Sequence, residues 1–197
     1  MVLSIFAFPI LALLLSSNAA ALILLVGDSI GAGYGVPQQR SWTKLLEQKI
    51  SPHRIINASI SGDTSSGAKA RLPDLLKHYQ PDIVIIEIGG NDGLRGQPVS
   101  LLEKNLRAMV ELSRNAGANV LLLGMHIPPN YGDIYTTAFH QTFHRVSKSM
   151  AVPLVPFLLE GIALKPELMQ ADRVHPNTNA QPLIVQNVLP VLAPMLN

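Results

Sequence analysis

The sequence contains no cysteine. Disulfides, thiolate metal ligands and a cysteine nucleophile are therefore excluded. Charge is also sparse, with Asp, Glu, Lys and Arg making up 14% of the residues and a formal net charge of +2. The 15 Lys and Arg are scattered and form no basic block able to track a phosphate backbone, so nucleic acid is not an expected partner. Two nucleotide-binding patterns are missing as well. The glycines of Gly31-Ala32-Gly33-Tyr34-Gly35 lack the G-x-G-x-x-G spacing, and no Gly-Lys-Ser/Thr follows them. His140 and His144 stand four apart, but without the Glu of H-E-x-x-H or an obvious third ligand. They are read as a solvated or partly packed helix face, and no metal or organic cofactor is expected. There is no internal repeat, low-complexity tract or linker.

What is present is apolar residue, at 48% of 197 positions, enough for one domain with a sizeable core. Part of the excess is N-terminal. Met1 to Leu15 are almost all apolar and lead into Ser16-Ser17-Asn18-Ala19-Ala20-Ala21. This pattern predicts a secretory signal peptide. Cleavage after Ala19, Ala20 or Ala21 fits the small-residue rule about equally, and Ala20 is favoured because a residue then precedes the first strand. The chain thus divides into a leader, 1–20, and a single domain, 21–197. The leader has no Lys or Arg before its apolar core, which keeps an uncleaved N-terminal anchor as the competing interpretation. No later segment is long and uncharged enough to span a bilayer, so the mature form is expected to be exported, soluble and monomeric.

Strand-like runs recur at Leu22–Val26, Ile55–Ile60, Ile83–Ile88, Val120–Gly124 and Pro153–Val155. Helical spacing separates them, as in Trp42, Leu45, Leu46 and Lys49/Ile50, or Tyr135, Phe139, Phe143, Val146 and Met150. Ser100-Leu101-Leu102-Glu103 reads as a capping box opening a helix that Gly117 ends. Pro73 predicts a bent or divided helix between Ser66 and Tyr79. A last helix starts near Thr178, with Pro190 kinking or shortening its end. Strands alternating with helices imply right-handed βαβ units and a parallel sheet covered on both faces. The fold class is α/β, a three-layer α/β/α arrangement. Ligands of such sheets bind at the carboxyl ends of the strands.

Four punctuated segments fall in the breaks between these elements. The first strand ends abruptly at Gly27-Asp28-Ser29-Ile30-Gly31. A serine in a glycine-flanked turn is how many hydrolases present a nucleophilic hydroxyl. Near the other end, Asp172-Arg173-Val174-His175-Pro176-Asn177 puts an acid and an imidazole three residues apart, so the carboxylate can orient the ring that deprotonates Ser29. Ser61-Gly62-Asp63-Thr64 and Gly89-Gly90-Asn91-Asp92-Gly93 lie between them. Gly permits close backbone approach, and Asn offers amide donors without charge. Asp28 is assigned to structure, bonding loop amides. His126, before Ile127-Pro128-Pro129, is placed beside the cleft with no catalytic role.

Gly27-Asp28-Ser29-Ile30-Gly31 also fits the G-x-S-x-G elbow of α/β-hydrolases. Two features oppose that fold. The serine follows the first strand of a short chain, with no earlier sheet to supply an oxyanion loop, and the acid and base come from one turn rather than two loops.

The four segments in this order resemble the SGNH (GDSL-type) hydrolase family. Ile88-Gly89-Gly90-Asn91-Asp92-Gly93-Leu94-Arg95-Gly96, Pro129-Asn130-Tyr131-Gly132 and the tail from Val152 to Pro182 are similar to its bacterial periplasmic thioesterase, lysophospholipase and arylesterase branch. The resemblance implies a flavodoxin-like, five-stranded parallel sheet and a Ser29–His175–Asp172 triad. It further implies an oxyanion hole of Ser29 N–H, Gly62 N–H and the Asn91 side chain, and a periplasmic location. The implied substrates are small acyl esters, acyl thioesters and lysophospholipids. Ile30, Tyr34, Leu94, Ile127, Pro128 and Tyr131 are candidates for an acyl groove. The alternatives are a carbohydrate O-acetyl esterase and a non-catalytic lipid- or carbohydrate-holding module.

Overall fold

A computed structural model describes residues 20–196. The leader expected over 1–20 therefore lies, but for Ala20, outside the described residues. Among the described residues no helix is long and apolar enough to cross a membrane.

Five strands form one sheet in the order β2-β1-β3-β4-β5, every pair parallel. They are β1 (Leu22–Gly27), β2 (Arg54–Asn57), β3 (Ile83–Glu87), β4 (Asn119–Leu123) and β5 (Leu154–Val155). The central strands are continuous apolar runs because helices cover both faces of the sheet. Ile23 to Val26 and Ile83 to Ile86 are essentially without exposed surface, and each such side chain stabilises the fold by roughly 1.5–3 kcal/mol.

The longer helices are α2 (Trp42–Lys49), α3 (Ser65–Tyr79), α5 (Val99–Asn115), α6 (Asp133–Met150) and α7 (Gln181–Leu192), with the short α1 (Ser29–Ala32) and α4 (Gly90–Leu94) seated on strand ends. α2 packs on α7, whereas α5 packs on both α3 and α6. Chain direction explains the two groups. The crossover from β1 through α2 moves to one side of β1, and the crossover from β2 through α3 moves back past it. Right-handed connections in opposite directions place their helices on opposite faces. The order of progression reverses between β1 and β3, and a crevice opens there at the carboxyl edge.

Local expectations were modified in four places. The second strand stops at Asn57 rather than Ile60. Ala58 and Ile60 still donate to Leu25 and Gly27 carbonyls at 2.8 and 3.0 Å, but the segment is already turning toward Gly62. β5 is held to two residues by its flanking Pro153 and Pro156, which have no N–H to extend a ladder. The capping box does not form. α5 starts at Val99 behind Pro98 with no side-chain cap, and Glu103 instead binds Arg107 and Arg145 at 2.9 and 3.0 Å. Pro73 sits inside a single helix, α3. It is exposed and has no N–H to give the Lys69 carbonyl one turn back. Pro190 lies within α7, which ends two residues later at Leu192.

Candidate active site

β1 delivers Ser29 to the crevice. Asp28 caps the short helix that follows, its Oδ1 accepting the Ile30 N–H at 3.1 Å, and Ser29 is the first helical residue. The turn is held from several sides. Trp42 donates its indole N–H to the Ile30 carbonyl at 3.0 Å, and Asn57 donates its side-chain amide to the Gly31 carbonyl at 2.8 Å.

The tail brings His175 across the chain to the same point. Nε2 of His175 lies 2.8 Å from Ser29 Oγ, and Nδ1 lies 2.7 Å from Asp172 Oδ2. The other oxygen of Asp172 accepts the backbone N–H groups of Val174 and His175 at 2.9 and 3.0 Å. Burial alone would raise the Asp172 pKa, but these two amides and the His175 ring together hold it at about 2. An ionised carboxylate is acceptor-only, so Nδ1 carries the ring proton and Nε2 keeps its lone pair toward Ser29. This tight turn requires Arg173 at φ +56°, a left-handed conformation uncommon for a residue with a Cβ. Gln170 anchors it from outside, donating to the carbonyls of Tyr34 at 2.7 Å and Pro176 at 3.1 Å.

Gly62 arrives on the loop after β2, and Asn91 in the first turn of α4, on the connection after β3. Gly62 has φ +81° with open space where a Cβ would be, so backbone conformation, not crowding, calls for glycine there. Arg95 donates to its carbonyl at 3.0 Å. The two connections are tied together underneath, because buried Asp92 accepts both the N–H and the hydroxyl of Ser65, the first residue of α3. Asn105 donates to Ser65 and Ser66, and Lys69 to Asn105. Above this, Asn91 Nδ2 lies 3.3 Å from Asp28 Oδ2. An amide nitrogen has two N–H groups, so one remains for a ligand. Burial lifts the Asp28 carboxyl to about 6, against the opposing pull of the Ile30 amide and His175.

These residues meet in a cleft of about 310 Å³ lined by Asp28, Ser29, Ile30, Tyr34, Ser61, Gly62, Gly90, Asn91, Leu94, Val174 and His175. Of the residues proposed for an acyl groove, Ile30, Tyr34 and Leu94 are in this lining and three are not. Ile127 is buried against Gly93, where there is no room for a Cβ. Pro128 lies outside the lining, and Tyr131 turns its hydroxyl to the Leu94 carbonyl at 2.9 Å. Val174 and Ser61 take their place. Both stand inside motifs already singled out, and that proximity was the available signal. Tyr34 also leans on the His175 ring, with centroids 4.7 Å apart.

His126 is not in the lining either; it stacks on His140 at 3.6 Å between centroids, and His144 approaches His140 to 3.2 Å. Among the described residues no group of three or more His, Asp or Glu is arranged to hold a metal ion.

The model of the GDSL-like Lipase/Acylhydrolase family matches residues 25–181 of this chain. The chain belongs to that family. It is 46% identical to esterase TesA of Pseudomonas aeruginosa over 190 residues, covering 94% of each. It is 44% identical to thioesterase 1/protease 1/lysophospholipase L1 of Escherichia coli K12 over 180 residues, 91% of this chain and 86% of the other. The crystal structure of TesA superposes with a TM-score of 0.86 at 46% identity, covering 88% of this chain and 99% of that one. Membership makes the protein a hydrolase acting on ester bonds, on the flavodoxin-like α/β/α scaffold expected from the sequence.

Proposed function

We propose that this chain is an exported serine esterase and thioesterase that works through an acyl-enzyme. The reading is carried by the continuous hydrogen-bonded line from Asp172 through His175 to Ser29, at 2.7 and 2.8 Å. His175 accepts the Ser29 proton as Oγ attacks the acyl carbonyl, and Asp172 offsets the imidazolium charge that forms. The backbone N–H groups of Ser29 and Gly62 and the free N–H of Asn91 receive the oxyanion. Each such donor contributes roughly 3 kcal/mol to the transition state. His175 returns the proton to the leaving group, and water repeats the sequence to release the acid.

The substrates are small acyl esters, including aryl esters, acyl thioesters and lysophospholipids. The names of the relatives support esters, thioesters and lysophospholipids, and an arylesterase of Vibrio mimicus, 42% identical over 177 residues, supports aryl esters. Ile30, Tyr34, Leu94 and Val174 offer an apolar wall to an acyl chain in an open cleft. The N-terminal sequence supports export and the resemblance supports a periplasmic location, which puts lysophospholipids and external esters within reach while cytosolic acyl-CoA is not.

The deciding experiment compares wild type with Ser29→Ala on p-nitrophenyl esters of increasing acyl length. Wild type hydrolyses them and takes a phosphonate label on Ser29. The variant, folded, loses turnover by a factor on the order of 10⁴–10⁶. Near-wild-type turnover in the variant sinks the mechanism. A rate confined to acetate would favour a deacetylase instead.

A further inference from the structure

Beneath the Ser29 turn lies a carboxyl group that the chemistry above does not use. Glu87 ends β3 and has no exposed surface. Its Oε2 accepts the backbone N–H of Asp28 at 3.1 Å and of Gly31 at 2.8 Å, gripping the chain on both sides of Ser29. Glycine makes room for it, since a Cβ on Gly27 or Gly31 would collide with Oε2. Its other oxygen, Oε1, is buried without a hydrogen-bond partner, and so is the hydroxyl of Ser59 beside the same two glycines.

The surroundings divide one proton between two acids. Asp28 faces the cleft, and its carboxylate receives the Ile30 amide and the Asn91 side chain. His175 adds a favourable charge interaction to it, Asp63 an unfavourable one. Glu87 has two amides on one oxygen and nothing on the other. Among the described residues no Lys, Arg or His is ion-paired with it. Arg71 is bound to Asp63 and donates to the carbonyls of Ala58 and, at 3.4 Å, Gly27, but to no oxygen of Glu87. Burial, reinforced by the neighbouring Asp28 charge, pushes the Glu87 carboxyl well above the ordinary carboxylate range. Two anions this close in an apolar interior are disfavoured. Each acid receives two donors, but Glu87 alone has an oxygen without one and no favourable charge from His175, so the proton belongs on Glu87.

We propose that Glu87 is a positioning residue for the oxyanion hole. As a neutral buried acid it clamps the Asp28 and Gly31 amides and thereby fixes the Ser29 N–H, while the pair's single negative charge stays on Asp28 and orients Asn91. This rests on the roles of Ser29 and Asn91 given above.

Glu87→Leu removes the acceptor at similar bulk. Its kcat on p-nitrophenyl acetate falls by on the order of 10- to 100-fold with KM within about twofold, because the displaced donor acts in the transition state. Hydrogen exchange at the Asp28 and Gly31 amides accelerates in parallel. Glu87→Gln keeps an oxygen for both amides and is uncharged at every pH. It recovers most of the lost kcat and leaves the midpoint of the pH–rate curve where wild type has it.

A folded Leu variant with wild-type kcat and wild-type exchange overturns the clamp. A Gln variant as slow as Leu, or one with its midpoint moved to lower pH, overturns neutrality, since deleting a real anion would weaken the imidazolium at His175. Should Leu fail to fold, Glu87→Asp replaces it. The shorter acid withdraws from the amides and loses kcat, and wild-type turnover there refutes the proposal. Exchange reads the clamp without turnover, so a protein inactive on every ester would sink the proposed function and still leave the clamp decided.

Discussion

Asn91 donates its side-chain amide to Asp28 across 3.3 Å, although the two residues stand on different connections, after β3 and after β1. The two strands are neighbours in the sheet, so the parallel order itself brings these connections together. The contact fixes the Asn91 rotamer with one N–H and leaves the other free. A donor placed in advance costs no reorganisation when the oxyanion forms.

Asn91→Ala should therefore lower kcat by roughly 10²–10³ with little change in KM. Steady-state kinetics on an aryl ester, with a melting curve on the same sample, decides the matter. A large loss of thermal stability at unchanged kcat would move Asn91 from catalysis to packing.

Asp172 and His175 make a separate case. Asp172→Asn keeps an oxygen for the Val174 and His175 amides, so the turn should survive. The ring loses its anionic partner and its enforced Nδ1–H tautomer, and kcat should drop by on the order of 10⁴. Full activity in the variant would require a different acid. EDTA should leave the wild-type rate intact, and its abolition of hydrolysis would require a metal mechanism.

Much of this site was legible because its parts are short-range in sequence. Asp172 and His175 share one turn, and Ser29 follows an apolar run that can only be a buried strand. What escaped were contacts between distant buried polar groups. Asp28 was correctly given loop amides, but its hold on Asn91 depends on strand order. Glu87 carried a signal in its setting, an acid inside Ile83-Val84-Ile85-Ile86-Glu87-Ile88, where a charge in a buried strand needs an explanation. The capping box failed for a related reason. Glu103 matched a local pattern, yet Arg107 one turn along α5 and Arg145 of α6 claimed it. Ile127 looked like a groove residue because it sits in a loop, but the packing of Gly93 drew it into the core.

The tie between the connections of Gly62 and Asn91 should be structural first. Asp92→Ala leaves the Ser65 N–H and hydroxyl without their acceptor in a buried setting. An unsatisfied buried donor costs about 1–3 kcal/mol, or a fall in Tm of several degrees for a domain of this size. Calorimetry at neutral pH measures it. An unchanged Tm would show that this tie contributes little to the fold.

The last expectation concerns pH and Asp28. Its carboxyl is raised from 3.8 to about 6 in the folded protein, mainly by burial. A raised folded-state pKa means that the folded form binds the proton more tightly than the unfolded chain. The associated stability is fully present below the unfolded value and is lost as pH rises through about 6. Asp172 runs the opposite way, losing its contribution only as pH falls from 3.8 toward about 2, which is outside a window of about pH 4 to 8. Asp28→Asn removes the titration while keeping an oxygen for the Ile30 amide. The Tm of the variant minus that of wild type should therefore increase from pH 4 to pH 8, by an amount to which Asp28 itself contributes at most about 3 kcal/mol. Glu87 is present in both proteins; without the neighbouring Asp28 charge its ionisation is less disfavoured in the variant, which adds to the Asp28 contribution with the same sign. Melting curves across that range test the sign. A difference that stays flat, or shrinks as pH rises, would mean that Asp28 ionises in the folded protein as readily as in the unfolded chain, and burial would not be the dominant influence on it.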